Sequence, residues 1–373
     1  MRRNYITIPT AMFFNQFVVS PFRSFLVLVL DELGYTAYEI GLIIAIGDVA
    51  ALLGAIIGAA VSDLIGRKNS SFLGRSIYAT GMFLMYLFFH YKRLFVAAFA
   101  LAQVGLMRAR AAMYILVGET SSSRVSFSAY SFAINDVGGF LGLLLFVKAL
   151  DGLEAVVIFR RFMPLRTIAA TISAIAIFFS IDTAPKQRGE LRITKNLLKY
   201  LLLITFTFFG VAIFRTFSPL YAKYYIGISD QLRGKISMLG IAVEAIYYFL
   251  LSRTSMSSVV AGLIGVGSYS SLALLVVLRP TEISAIIGFG FLRPGFTAFF
   301  RPALIDFDIS VTDPKARGRL VSLIFMFRRL GLTGGRITGA RLFVLDPVLV
   351  MITPMITITL GLLGIIALTK GKF

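Results

Sequence analysis

Long apolar runs alternate with short polar breaks along the whole chain. The runs lie at roughly 8–30, 38–61, 71–90, 94–117, 125–149, 162–181, 197–222, 232–252, 257–278, 281–306, 318–341 and 347–369. A run of about 20 apolar residues is long enough to cross a ~30 Å hydrocarbon layer as a helix. Most runs are apolar on every face, as expected for helices surrounded by lipid or by one another. The pattern predicts an all-α membrane protein of twelve transmembrane helices. The N-terminal MRRNYITIPTAMFFNQFVVSPF is too long in its apolar part for a cleavable signal and has no small-residue cleavage site, so it is expected to stay as the first span.

The longest strongly polar segment, TAPKQRGELRITKN at 183–196, divides the chain almost in half. The halves repeat. Gly34, Gly41 and Gly47 recur as Gly227, Gly234 and Gly240, and Arg124, Gly138 and Gly142 recur as Arg317, Gly331 and Gly335, all at an offset of 193 residues. Arg108 recurs as Arg301, and Arg23 as Arg215 at an offset of 192. Matches at one offset mark an internal duplication. The expected organisation is a six-helix bundle over 1–182, a cytoplasmic linker over 183–196 and a second six-helix bundle over 197–373, related in parallel about an axis along the membrane normal.

Composition sharpens this picture. The 373 residues are 58% hydrophobic with mean hydropathy +0.86, above the ~45–50% apolar content of soluble domains. The net charge of +19 would suggest nucleic acid in a soluble protein. Here it is read as loop charge that orients the spans and meets anionic lipid headgroups. Placing the N-terminus inside puts about seventeen Lys and Arg on the cytoplasmic side against about eleven outside, so both termini are expected in the cytoplasm, with the chain in the cell membrane as a monomer. Cysteine is absent, which excludes disulfides and thiolate metal sites. The single histidine, His90, is read as structural. No nucleotide-binding loop, metal-ligand cluster or catalytic nucleophile set is found, so neither enzymatic activity nor a cofactor is expected.

Residues 59–68 read AAVSDLIGRK. Gly66 allows a tight turn between antiparallel helices, and Asp63 is suited to cap a helix N-terminus or pair with a base. The stretch resembles the G-x-x-x-D-R-x-G-R-R/K signature that joins helices two and three in the major facilitator superfamily. Asp63, Gly66, Arg67 and Lys68 match; Ala59 stands for the first glycine and Leu64 for the usual arginine. GETSSSR before the fifth run and TDPKARGRL before the eleventh are similar to acidic-then-basic loops of that family. The resemblance implies secondary transport by alternating access, with Asp63, Gly66, Arg67 and Lys68 acting as a cytoplasmic latch.

The arginines inside predicted spans include 23, 108, 110, 215, 293, 301, 328, 329 and 336, against acids at similar depth at Asp48, Asp136, Glu244 and Asp306. The surplus must snorkel, bind carbonyls, face water or await an anion. Arg293 and Arg336 lie near span ends, where snorkelling is easy; Arg23, Arg215, Arg108 and Arg301 do not. Gln16, Ser20 and Arg23 share one helix face, and of Arg108 and Arg110 only Arg108 has a repeat partner. Arg23, Arg215, Arg108, Arg301 and Gln16 are therefore the candidate solute ligands, since guanidinium binds carboxylate or phosphate bidentately. The layout is similar to that of organophosphate/phosphate exchangers of the superfamily, which use one arginine on each of these helices. Structural pairing of the same arginines is the main alternative, and modulation of a nearby acid a further one. Asp48, Asp136 and Glu244 are candidates for proton coupling or for fixed ion pairs. The expected partners are a small anionic or organic solute, the bilayer, and protons or a counter-ion, with no nucleic acid. A proton-coupled exporter of lipophilic compounds, and a transport-inactive receptor or scramblase on the same fold, are the alternatives.

Overall fold

The computed structural model describes residues 2–35, 37–149, 155–183, 193–228 and 230–369. The helices are α1 (Asn4–Glu32), α2 (Ala37–Ile65), α3 (Arg67–Leu87), α4 (Lys92–Thr120), α5 (Arg124–Ala149), α6 (Ala155–Phe178), α7 (Lys195–Tyr224), α8 (Asp230–Ser252), α9 (Ser258–Leu278), α10 (Glu282–Val311), α11 (Arg317–Leu345) and α12 (Leu349–Thr369), with no strand among the described residues. Among the described residues eight of them, α2, α4–α7, α9, α10 and α12, carry segments long and apolar enough to cross a membrane. In α11 charges interrupt the apolar run, as in RGRLVSLIFMFRRLGLTGGR. The sixth helix begins seven residues before the apolar run, because its first two turns contain the exposed Arg160 and Arg161. Most of the predicted linker, 184–192, lies outside the described residues.

By contact the chain forms two compact units. One comprises 1–122, 134–188 and 315–322; the other comprises 123–133, 189–314 and 323–373. Within the first unit α1 packs on α6, α3 on α4 and α6, and α2 on α4. Within the second, α7 packs on α12, α9 on α10 and α12, and α8 on α10. Each unit thus has the same internal packing order six helices apart.

The repeated glycines explain part of that equivalence. Gly34 and Gly227 end the loops after α1 and α7 with φ +75° and +81°, a region closed to most side chains. Gly138 and Gly142 let α5 meet the α1 backbone: a Cβ would lie 2.4 Å from the Phe13 carbonyl oxygen and 2.2 Å from that of Phe17. Gly331 and Gly335 do the same for α11 on α7, with a Cβ at 2.2 Å from the carbonyl oxygens of Thr205 and Phe209. Small residues at such crossings allow the close backbone approach that drives helix association in lipid.

One helix departs from regular geometry. In α10 a π turn covers Gly288–Leu292, and the Arg293 N–H donates to the Gly288 carbonyl five residues back. Pro294 follows, has no N–H for an α bond, and would press its ring on the Gly290 carbonyl. The widened turn relieves this, and such bulges recur at functional sites.

Candidate functional site

The second unit contains a cavity of about 250 Å³ formed by α7, α8 and α10. Its polar wall holds Arg215, Glu244, Arg293 and Arg301; its apolar wall holds Phe208, Phe214, Phe289, Phe296 and Phe300. Arg301 Nη1 lies 3.2 Å from Glu244 Oε1, with the Glu244 side chain 18% exposed and that of Arg301 42%. Among the described lining residues, three arginines and one glutamate carry charge. Phe289, within the π turn, and Arg293, just after it, both line the cavity. Arg215 and Arg301 are among the ligands expected from sequence, and Glu244 is brought to them as an ion-pair partner. Arg293 is the member that the sequence reading sent to the interface as a snorkelling group.

In the first unit the expected face resolves differently. Gln16 Oε1 accepts a 3.4 Å hydrogen bond from Arg110 Nη2, so Arg110 rather than Arg108 reaches the polar stripe of α1. Gly139 faces Gln16 and Ser20, with a Cβ there 2.9 Å from Gln16 Cγ. Arg108 has a buried Nε without a hydrogen-bond partner. Arg23 lies on α1, but its side chain is outside the described residues. Asp48 is exposed on α2. Asp136 is buried on α5 and accepts from Asn135 Nδ2 at 2.9 Å.

The AAVSDLIGRK stretch is not an exposed loop. It is helical to Ile65, and only Gly66 separates α2 from α3. Asp63 therefore sits in the last turn of α2 with its side chain 2% exposed, 2.7 Å from Nη1 of the fully buried Arg67. Its two carboxylate oxygens accept from the N–H groups of Gly318 and Arg319, each at 2.9 Å. These are orphan donors at the start of α11, where an anion also meets the positive end of the helix dipole. Glu119 extends the network: Oε1 lies 2.5 Å from Arg317 Nη1, and Oε2 lies 3.3 Å from Arg67 Nε and 2.6 Å from the Thr183 hydroxyl that donates to it. Asp182 caps α3, accepting from the Arg67 N–H at 2.9 Å. Its Oδ2 lies 1.8 Å from where a Cβ on Gly66 would stand, and Gly66 has φ +94°, so position 66 admits glycine alone. Lys68 places its ammonium 5.1 Å from the Phe178 ring centre.

Several charged residues central to the interior were missed from sequence. Arg75 was counted with the cytoplasmic basic residues, yet it is buried on α3 and donates to Ser173 Oγ. Arg166 is buried on α6 among aromatic faces, its guanidinium 4.3 Å from the Phe159 centroid and 5.4 Å from that of Phe22. Asp308 on α10 accepts from Tyr200 Oη and Arg328 Nη2. Arg124 pairs with Asp306 at 2.9 Å. The available signal for Arg166 was its place inside the sixth apolar run; Asp308 lies just past the end of the tenth.

No protein-family model and no curated protein sequence matches the chain. Solved structures do. The human organic anion transporter MFSD10 (TETRAN) superposes with TM-score 0.76 at 15% identity, covering 98% of this chain and 99% of that one. A major facilitator superfamily transporter, FucP, in the outward conformation gives TM-score 0.76 at 14% identity, covering 98% and 99%. The major facilitator proton:xylose symporter XylE, bound to 6-bromo-6-deoxy-D-glucose, gives 0.73 at 12% identity, covering 97% and 94%. The chain therefore has the fold of major facilitator superfamily transporters, an all-helical multi-pass membrane architecture.

Proposed function

We propose that the protein is a secondary transporter of a small anionic solute, working by alternating access. The observation that carries this reading is the cavity of the second unit, whose described lining brings Arg215, Arg293, Arg301 and Glu244 together beside Phe208, Phe214, Phe289, Phe296 and Phe300. Cations within membrane-spanning helices are expensive and mark solute pathways, and guanidinium is suited to carboxylate and phosphate. Transporters of this fold, one of them named for organic anions, support the same reading. A wall of this sign disfavours lipophilic cations, which argues against the cationic branch of the drug-exporter alternative. The Asp63–Arg67–Glu119–Arg317 network serves in this reading as the latch of one state of the cycle. The buried Asp136 and the half-buried Glu244 are the acids available for proton coupling.

A thermal-shift screen of purified protein tests the proposal. Acetate, benzoate and inorganic phosphate are compared with tetraphenylphosphonium at matched ionic strength. A ligand of the folded state raises apparent stability, so at least one anion should raise the melting temperature and the cation should not. Stabilisation by the cation alone would sink the anion reading. Orientation follows from the basic bias of the loops: both termini and the 183–196 segment face the cytoplasm. The chain has no native cysteine, so Gly189→Cys should react with an impermeant maleimide only after the cells are opened; labelling in intact cells would reverse the topology.

A further inference from the structure

The four charged groups of the cavity are not equivalent. Arg301 is engaged by Glu244 at 3.2 Å. Arg293 lies in the electrostatic field of both Glu244 and Arg301, yet among the described residues its guanidinium makes no hydrogen bond or ion pair. It lines the cavity from the turn that follows the π bulge. Arg293 thus has hydrogen-bonding capacity to offer a guest, and the Glu244 carboxylate lines the same cavity.

The rest of the wall restricts the body that such an anion carries. Phe296 and Phe300 stack with centroids 4.9 Å apart and planes inclined by 24°. Phe214 and Phe289 lie nearly parallel at 21°, with centroids 6.5 Å apart. Planar faces of this kind favour an aromatic guest in offset or edge contact. An inorganic ion or a two-carbon acid would leave them without apolar contact. The cavity of about 250 Å³ is below the ~300–1,000 Å³ of sites for drug-sized ligands, which limits the guest to about one ring.

Charge is limited by Glu244. A single carboxylate on Arg293 leaves the Glu244–Arg301 pair intact. A second carboxylate on a body this small would approach Glu244 and compete with it for Arg301, and like charges at such range repel strongly where water is scarce.

We propose that this cavity binds a small aromatic monocarboxylate, anchored by Arg293, and that Glu244 acts as the resident counter-ion of Arg301 that excludes solutes of higher charge. The inference rests on the reading of this cavity as the anion site, and names the class of solute it takes.

Isothermal titration of the purified full chain tests it with four probes: benzoate, acetate, inorganic phosphate and phthalate, the last an aromatic dianion. Wild type should bind benzoate at least about tenfold more tightly than acetate, phosphate or phthalate, the scale of one charge-assisted or well-packed contact. Glu244→Gln should tighten phthalate about tenfold or more, a gain that misfolding does not produce. Arg293→Gln should lose at least about tenfold for benzoate with an unchanged melting temperature, and Arg293→Lys should recover part of it. If Arg293→Gln unfolds, the Glu244→Gln gain still decides. Acetate or phosphate binding as tightly as benzoate, phthalate unaffected by Glu244→Gln, or benzoate bound equally by Arg293→Gln would each overturn the proposal while leaving anion transport standing. Failure of every anion on wild type and Glu244→Gln alike would remove the transport reading as well.

Discussion

Asp63→Ala is expected to destabilise the protein by about 3–5 kcal/mol, the range for removing one partner of a buried ion pair. The size follows from what the carboxylate serves. One oxygen meets the fully buried Arg67, and the two together accept the first N–H groups of α11. Alanine would leave a guanidinium without its nearest counter-charge and two orphan donors without an acceptor. Asp63→Asn keeps one acceptor oxygen and should lose less than Asp63→Ala. Lys68→Ala, which removes an ammonium seated over Phe178, should stay within about 0.5 kcal/mol of wild type, as surface changes do. Chemical unfolding in detergent, followed by circular dichroism, measures all three. An Asp63→Ala protein as stable as wild type would show that the network contributes nothing to this state.

A second large effect is expected at the helix crossings. Gly142→Leu and Gly335→Leu each insert a side chain where a backbone carbonyl oxygen stands 2.2 Å from the Cβ position. Backbone yields less than a side-chain tip, so each change should exceed the usual ~1–3 kcal/mol of overpacking. Gly267 is the control, since nothing lies within 4 Å of a Cβ there; Gly267→Leu should leave the melting temperature close to wild type. Equal loss at all three positions would mean that helix propensity or lipid exposure, rather than the crossing, sets the cost.

Much of this architecture was legible in the pattern of residues. Each helix among the described residues overlaps one of the apolar runs, because in lipid a backbone must satisfy its own hydrogen bonds and has few alternatives to a helix. The glycine repeats at 138, 142, 331 and 335 marked the duplication before their crossings were visible. What escaped was the depth of charges. Asp63 looked like a loop residue because glycine and basic residues follow it, yet a single glycine suffices to turn the chain and α2 continues to Ile65. Arg75 looked cytoplasmic for the same reason. Arg293 was read as near a span end and free to snorkel, yet it stands about three turns inside its helix; the Gly-Phe-Gly-Phe-Leu-Arg-Pro run, with a proline inside a helix, was the available warning that its direction would be altered. Arg110 was passed over for Arg108 on repeat symmetry, but the contact to Gln16 depends on helix rotation, which an offset in sequence does not encode.

Counterflow in proteoliposomes tests the central claim most directly. Vesicles loaded with an excess of unlabelled benzoate, acetate or inorganic phosphate receive the matching labelled anion outside. The account predicts transient accumulation of at least one label with wild type, and none of that label with an Arg301→Gln protein of unchanged melting temperature. No accumulation of any anion by wild type, together with counterflow of tetraphenylphosphonium, would contradict it.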